Sequence, residues 1–302
     1  MSKNQLDFSD VVLAGGTGRS GTTIIGKLLS RHSAVGLARP SEIRILTYGN
    51  GLLDLHLRNR VGRYRHFLVT DKLHLSRFRY RLFNDWWERE SKSGGIAGLI
   101  QGMEPAKLQE LYDLLKEDWR SNRGSAPALF FRSFVDSQKT LTKKKLWVDT
   151  TPSNLYRSHE IANFLPKVRF IHMVRDGRDV IASVIREPWG PNSYEEGLVW
   201  YRNRMIRNVQ NSKALGSQVL TISLEDLVIR NRTDSLIRVL NFLELEVDPK
   251  SQEYFRSEVE PGKMAQGRWR TEVSDVPTFN ARYFAIVDEL KEIDPELPLR
   301  IL

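Results

Sequence analysis

Short apolar runs punctuate the chain, and some of them end in glycine-bearing turns. Val11-Val12-Leu13-Ala14 leads into Gly15-Gly16-Thr17-Gly18, and Val168 to Val174 leads into Arg175-Asp176-Gly177-Arg178. Leu146-Trp147-Val148 and Gln218 to Ile222 have the same texture, and Val35-Gly36-Leu37 is a shorter candidate. Apolar residues in unbroken runs, rather than in alternation, predict strands buried on both faces. Helical patterns between them predict crossovers, and strands alternating with helices predict a parallel sheet covered on both sides.

Between about Arg44 and Lys145 the pattern changes. Apolar residues recur at helical spacing, as in Leu108, Leu111, Tyr112, Leu114 and Leu115, and strand signals are absent. The sheet pattern resumes afterwards, so this segment reads as a mainly helical insertion and not as an independent domain. From Ser223 onward the pattern is again mostly helical, with a polar loop around Glu260 to Arg270. The expected fold is α/β: a P-loop-type parallel β-sheet flanked by helices, with the insertion at about 44–145, in one domain over residues 1–302.

Composition narrows the picture. Of 302 residues, 40% are hydrophobic, enough for a sizeable core. No apolar stretch approaches the roughly 20 residues that span a bilayer. Met1 to Asp10 lacks the basic start and long apolar segment of a secretory signal, so the cytoplasm is the expected address. With no cysteine there can be no disulfide, zinc-thiolate site or thiol nucleophile. A formal net charge of +9 favours anionic partners without choosing among them.

The chemistry concentrates where strands end. Gly16-Thr17-Gly18-Arg19-Ser20-Gly21-Thr22-Thr23 stands between an apolar strand and an amphipathic helix. Glycines there let the backbone turn tightly around an anion, and the helix N-terminus adds unpaired donors and partial positive charge. Gly16 and Gly21 fit the spacing of a nucleotide triphosphate loop, but Thr22 occupies the lysine position. The cation has moved into the loop as Arg19, which argues against triphosphate chemistry.

Arg175 leaves the end of another buried strand, at the edge where parallel sheets gather ligands. Ser183 lies about two helical turns further on, roughly 10 Å along the helix. An arginine fork and a hydroxyl on adjoining elements can grip a phosphate from two sides. Asp176, Arg178 and Asp179 read individually as a solvated helix start with internal ion pairs. Two phosphate sites on one sheet edge, without a kinase lysine, describe a nucleotide phosphorylated at both ends. 3′-Phosphoadenosine 5′-phosphosulfate (PAPS) is such a nucleotide.

These residues resemble a known family. Gly18-Arg19-Ser20-Gly21-Thr22-Thr23 is similar to the 5′-phosphosulfate loop of the PAPS-dependent sulfotransferase superfamily. Met173-Val174-Arg175-Asp176-Gly177-Arg178, followed by Ser183, resembles its 3′-phosphate motif. The nearest branch is that of protein-tyrosine sulfotransferases and related bacterial sulfotransferases. Ser41-Glu42-Ile43-Arg44 falls where that branch carries a glutamate general base and a substrate-side arginine. Leu220 to Leu243 looks like its late strand-helix region, and Gly267-Arg268-Trp269-Arg270 like a basic loop closing over the nucleotide. One departure stands out: relatives commonly carry lysine before the proline of the segment that here reads Asp149-Thr150-Thr151-Pro152.

The resemblance implies sulfuryl transfer from PAPS to an acceptor hydroxyl, with Glu42 as base and Arg19 stabilising the leaving group. Glu42 follows the second strand, so its carboxylate is expected at the same sheet edge. On the residues alone it reads equally well as a surface partner of Arg44; the resemblance tips it toward the base. The implied nucleotide contacts are Gly18, Arg19, Ser20, Gly21, Thr22, Thr23, Arg175, Ser183, Gly267 and Arg268. No metal is expected. His32, His56, His66 and His74 are weaker candidates for the base, and His172 reads as a core residue. His159 belongs to the helix after Pro152.

Arg58, Arg60, Arg63, Arg65, Arg77, Arg79 and Arg81, interleaved with Tyr64, Phe67, Phe78 and Tyr80, read as a solvated helical face with aromatics turned inward. The competing reading is a surface for an acidic acceptor, a lipid headgroup or nucleic acid. For function, the alternatives are a P-loop small-molecule kinase and a non-catalytic nucleotide or nucleic-acid binder, though nucleic acid is disfavoured.

Overall fold

The computed structural model describes residues 6–61, 67–91 and 94–299. Five strands form the central parallel sheet: β1 (Val11–Gly16), β2 (Val35–Leu37), β3 (Leu146–Asp149), β4 (Arg169–Val174) and β5 (Val219–Ser223), in the order β2-β3-β1-β4-β5. Each matches an apolar run in the sequence to within two residues at its ends. By contact the chain divides into two compact units.

One unit comprises Met1–Val12, Val35–Thr151 and Glu160–Val168. In it β2 and β3 pair in parallel, with Val35 opposite Leu146 and Leu37 opposite Val148. The insertion supplies α2 (Leu52–Val61), α3 (Phe67–Tyr80), α4 (Pro105–Ser121) and α5 (Ala126–Thr142). The helical spacing seen in the sequence puts Leu108, Leu111, Tyr112 and Leu115 on the buried stripe of α4, while Leu114 stays exposed. Phe78, Trp86 and Phe130 pack edge to face, with ring centres 5.5–6.3 Å apart. A two-stranded ribbon of Arg89–Glu90 and Ile96–Ala97 corrects the expectation that no strand lies in this segment. Two residues per strand are too few to leave a period in the sequence.

The other unit comprises Leu13–Ala34, Pro152–His159 and Arg169–Leu302. It contains the C-terminal part of β1, α1 (Thr22–Ser30), β4, α6 (Gly177–Val184), α7 (Tyr194–Leu215), β5, α8 (Arg232–Phe242), α9 (Pro249–Glu258) and α10 (Val276–Ile293). β4 and β5 are parallel, with Phe170 opposite Val219 and Val174 opposite Ser223. Helix starts are fixed by side-chain caps: Asp176 on α6, Ser193 on α7, Asp248 on α9 and Asp275 on α10. Val180, Ile181, Leu198, Tyr201, Tyr283 and Leu290 form the core that seats α6 against α7 and α10.

Candidate functional site

β1 delivers its loop to the start of α1. Gly18, Arg19 and Gly21 have φ of 88°, 58° and 101°, so the chain folds back on itself within four residues. Gly21 is required twice over: its backbone is left-handed, and a Cβ there would meet a Leu224 methyl at 2.7 Å. Arg19 adopts the left-handed region without being glycine, a conformation held where surroundings demand it. Among the described residues, the amides of Thr17 to Thr23 have no protein acceptor. The Ser20 hydroxyl is buried without a hydrogen-bond partner. Converging free amides, an orphaned buried hydroxyl and a helix N-terminus together fit a phosphate group.

The residues read as a second anion site meet those of the glycine loop. Arg19 Nε donates to Ser183 Oγ at 2.8 Å, across 164 positions of sequence. Arg175 Nη1 donates to the Arg19 carbonyl at 3.0 Å. The residues read separately as gripping the 5′ and 3′ ends therefore touch one another. Glu187 lies 3.9 Å from Arg19 as a loose ion pair. Burial lowers the pKa of Arg175, opposed by the carboxylates of Asp179, Glu225 and Asp176.

Beneath Arg175 the turn is held by several contacts. Arg178 and Asp176 form a two-pronged ion pair at 2.6 and 3.0 Å, and both are nearly fully buried. The Arg178 guanidinium is 4.3 Å from the ring centre of Trp269 and 5.0 Å from that of Tyr283. This corrects the expectation of a solvated helix start: the internal pairing holds, the solvation does not. The turn's amides are used as well. The Asp176 N–H donates to Glu225 and the Gly177 N–H to the Tyr283 hydroxyl, while the Tyr201 hydroxyl donates to the Arg175 carbonyl. Glu225 is fully buried, which raises its pKa.

Gly267 and Arg268 lie in a strap between α9 and α10. The Gly267 N–H donates to Asp179 Oδ1 at 2.7 Å, and Arg175 Nη2 donates to the Ala265 carbonyl. Arg268 is exposed and acts electrostatically on Tyr194 and Glu272. Asp179, Glu225, Tyr201 and Tyr283 were not singled out in the sequence as site residues. Asp179 and Glu225 carry only the signal of an acid close to a phosphate motif or just after a strand, and the tyrosines carry none.

Glu42 belongs to the other unit. It is half-buried shortly after β2 and lies in the electrostatic field of Arg89. Its neighbour Ile43 is anchored through an N–H donated to Asp149 Oδ1 at 3.1 Å. The Thr151 hydroxyl donates to the same carboxylate oxygen at 2.9 Å, and the Thr150 hydroxyl donates to the Ser41 carbonyl at 2.9 Å. The Thr150-Thr151 pair thus pins the segment that carries Glu42.

The histidines divide clearly. His32 is buried, accepting the Ala34 N–H at Nδ1 and meeting the Glu246 carbonyl at Nε2. His172 is fully buried on β4, bonded to Ser212 Oγ, and burial pulls its pKa down to about 3. His56 packs against Phe164, and His74 is half-buried on α3. His159 is exposed. Arg63, Tyr64, Arg65 and His66 lie outside the described residues, as do the side chains of Arg58, Arg60 and Phe67. Of the remaining arginine-rich face, Arg79 stacks on Phe83 and Tyr112, and Arg81 pairs with Asp85. Phe78 turns inward and Tyr80 outward.

Among the described residues no group of three or more His, Asp or Glu could hold a metal ion, and no helix is long and apolar enough to cross a membrane. The family model described as "Sulfotransferase family" matches residues 12–249. A sequence comparison with curated proteins finds no match. Among solved structures, sulfotransferase STF9 from Mycobacterium avium superposes with a TM-score of 0.50 at 14% identity, over 96% of this chain and 76% of that one. The sulfotransferase domain of the Synechococcus PCC 7002 olefin synthase gives 0.49 at 16%, over 92% of each chain. Mouse sulfotransferase SULT7A1, complexed with PAP, gives 0.44 at 9%, over 94% and 85%.

Proposed function

The chain belongs to the sulfotransferase family, and from that premise we propose that PAPS is its sulfuryl donor and that its residues carry the reaction as follows. The acceptor is a hydroxyl-bearing molecule whose oxygen attacks the sulfur of PAPS in line with the bond to the 5′-phosphate. As the new oxygen–sulfur bond forms, the bond to the phosphate oxygen breaks and its electron pair leaves with PAP (3′-phosphoadenosine 5′-phosphate). Glu42 takes the acceptor's proton. Arg19 and the loop amides of Gly18 to Thr23 stabilise the charge that builds on the departing phosphate. Arg175 and Ser183 hold the 3′-phosphate, and the strap residues Gly267 and Arg268 close over the nucleotide.

The observation that carries this reading is the junction of Arg19, Ser183 and Arg175. Two phosphate-binding features that meet side by side suit a nucleotide with phosphate at its 3′ and 5′ positions better than a triphosphate extended along one loop. A P-loop kinase is disfavoured by Thr22 at the lysine position. The proposal treats residues 1–302 as one catalytic domain working in the cytoplasm. Its test is incubation with PAPS labelled in the sulfuryl group and a pool of hydroxyl-bearing acceptors, followed by mass spectrometry. Label transferred to an acceptor, with PAP formed in equal amount, supports the reading. Label released only as inorganic sulfate contradicts it.

A further inference from the structure

Residues 265–269 are held at every second position by the turn that carries Arg175. Arg175 Nη2 donates to the Ala265 carbonyl, Asp179 Oδ1 accepts the Gly267 N–H at 2.7 Å, and the Arg178 guanidinium lies 4.3 Å from the ring centre of Trp269. The intervening Gln266 and Arg268 are exposed. A 3′-phosphate would compete with Ala265 for Arg175, but it has no claim on the other two grips. Arg178 is already engaged by Asp176, Asn280 and the surrounding rings. Asp179 is different: its carboxylate is almost fully buried, and the Gly267 amide is its hydrogen-bond donor. A carboxylate taken out of water at that cost needs the contact it makes.

The strap's shape makes the contact specific. Gly267 is left-handed at φ 75°, and a Cβ there would come within 2.8 Å of Arg270 Nη1. The Gly267 amide is therefore presented by a backbone conformation that few other residues adopt.

We propose that Asp179 is a positioning residue for the nucleotide: by accepting the Gly267 amide it fastens the strap to the Arg175 turn, so that both walls of the 3′-phosphate site stand assembled before PAPS arrives. The inference rests on the proposed roles of Arg175, Gly267 and Arg268. Preorganisation of this kind appears as affinity, because the ordering cost is met in the free protein. It should be felt at the 3′ end and not at the 5′ loop.

The test combines calorimetric titration of PAP and of adenosine 5′-phosphosulfate, which lacks the 3′-phosphate, with amide hydrogen exchange of the nucleotide-free protein. Asp179→Ala should speed exchange at Gly267 and weaken PAP about tenfold or more, in line with loss of a hydrogen bond to a charged group. Adenosine 5′-phosphosulfate should bind within about twofold of wild type. Asp179→Asn keeps a side-chain carbonyl to accept the amide and should hold PAP within about threefold. Asp179→Leu fills the same space without an acceptor and should behave as the alanine variant does, which keeps the test open if that variant does not fold. Wild-type PAP affinity in the alanine or leucine variant would overturn the proposal. So would equal losses for the two nucleotides, or an asparagine variant as weak as alanine. In each of those cases PAP binding to the wild type leaves the sulfotransferase reading intact, whereas a wild type that binds no PAP sinks both.

Discussion

Glu42 is where turnover depends on a single carboxylate in the proposed mechanism. Glu42→Gln preserves size and most packing but cannot take a proton. Turnover measured with saturating PAPS should fall about 10²-fold or more, while PAP affinity stays close to wild type. A variant that keeps its turnover would move the base elsewhere. Thr150 poses the opposite question, whether the lysine that the resemblance implies at this segment can be accommodated. Thr150 is 1% exposed and donates to the Ser41 carbonyl, so Thr150→Lys loses a hydrogen bond and forces an amine into a site shaped for a hydroxyl. Chemical denaturation should show a loss of about 2–4 kcal/mol. A variant as stable as wild type would mean that the segment yields easily and accommodates the lysine.

Among the elements, the strands were legible because their burial leaves short, mostly apolar runs, and the glycine loop because its neighbours are a strand and a helix. The turn after β4 was only half legible. Its charges are adjacent in sequence, but the rings of Trp269 and Tyr283 that enclose Arg178 come from about 90 to 105 positions later. No local pattern announces such an enclosure. His172 on β4 illustrates the converse, a residue whose strand context was readable and whose consequence is thermodynamic. Its folded pKa is about 3, against about 6.5 when unfolded. The unfolded chain therefore binds the proton first, so this contribution to stability is complete above about pH 6.5 and is lost as pH falls toward 3. Between pH 7 and pH 5 the loss amounts to about 2 kcal/mol. Urea unfolding of His172→Leu at both pH values should show that component missing. A variant with the same pH slope as wild type would place the acid sensitivity in other groups.

For the whole molecule, the net charge of +9 fits an anionic nucleotide without selecting one. The order and separation of the two anion motifs were readable in the sequence. Their meeting was not, because Arg19 and Ser183 are 164 positions apart and only the folded sheet brings β1 beside β4. The two-phosphate reading is most directly tested by thermal unfolding with PAP against ATP and magnesium at matched concentration. A ligand that binds only the native state adds RT ln(1 + [L]/Kd), about 2.7 kcal/mol at a hundredfold excess over Kd. PAP should raise the melting temperature clearly and ATP with magnesium much less; equal shifts from the two would contradict the assignment of a nucleotide phosphorylated at both ends.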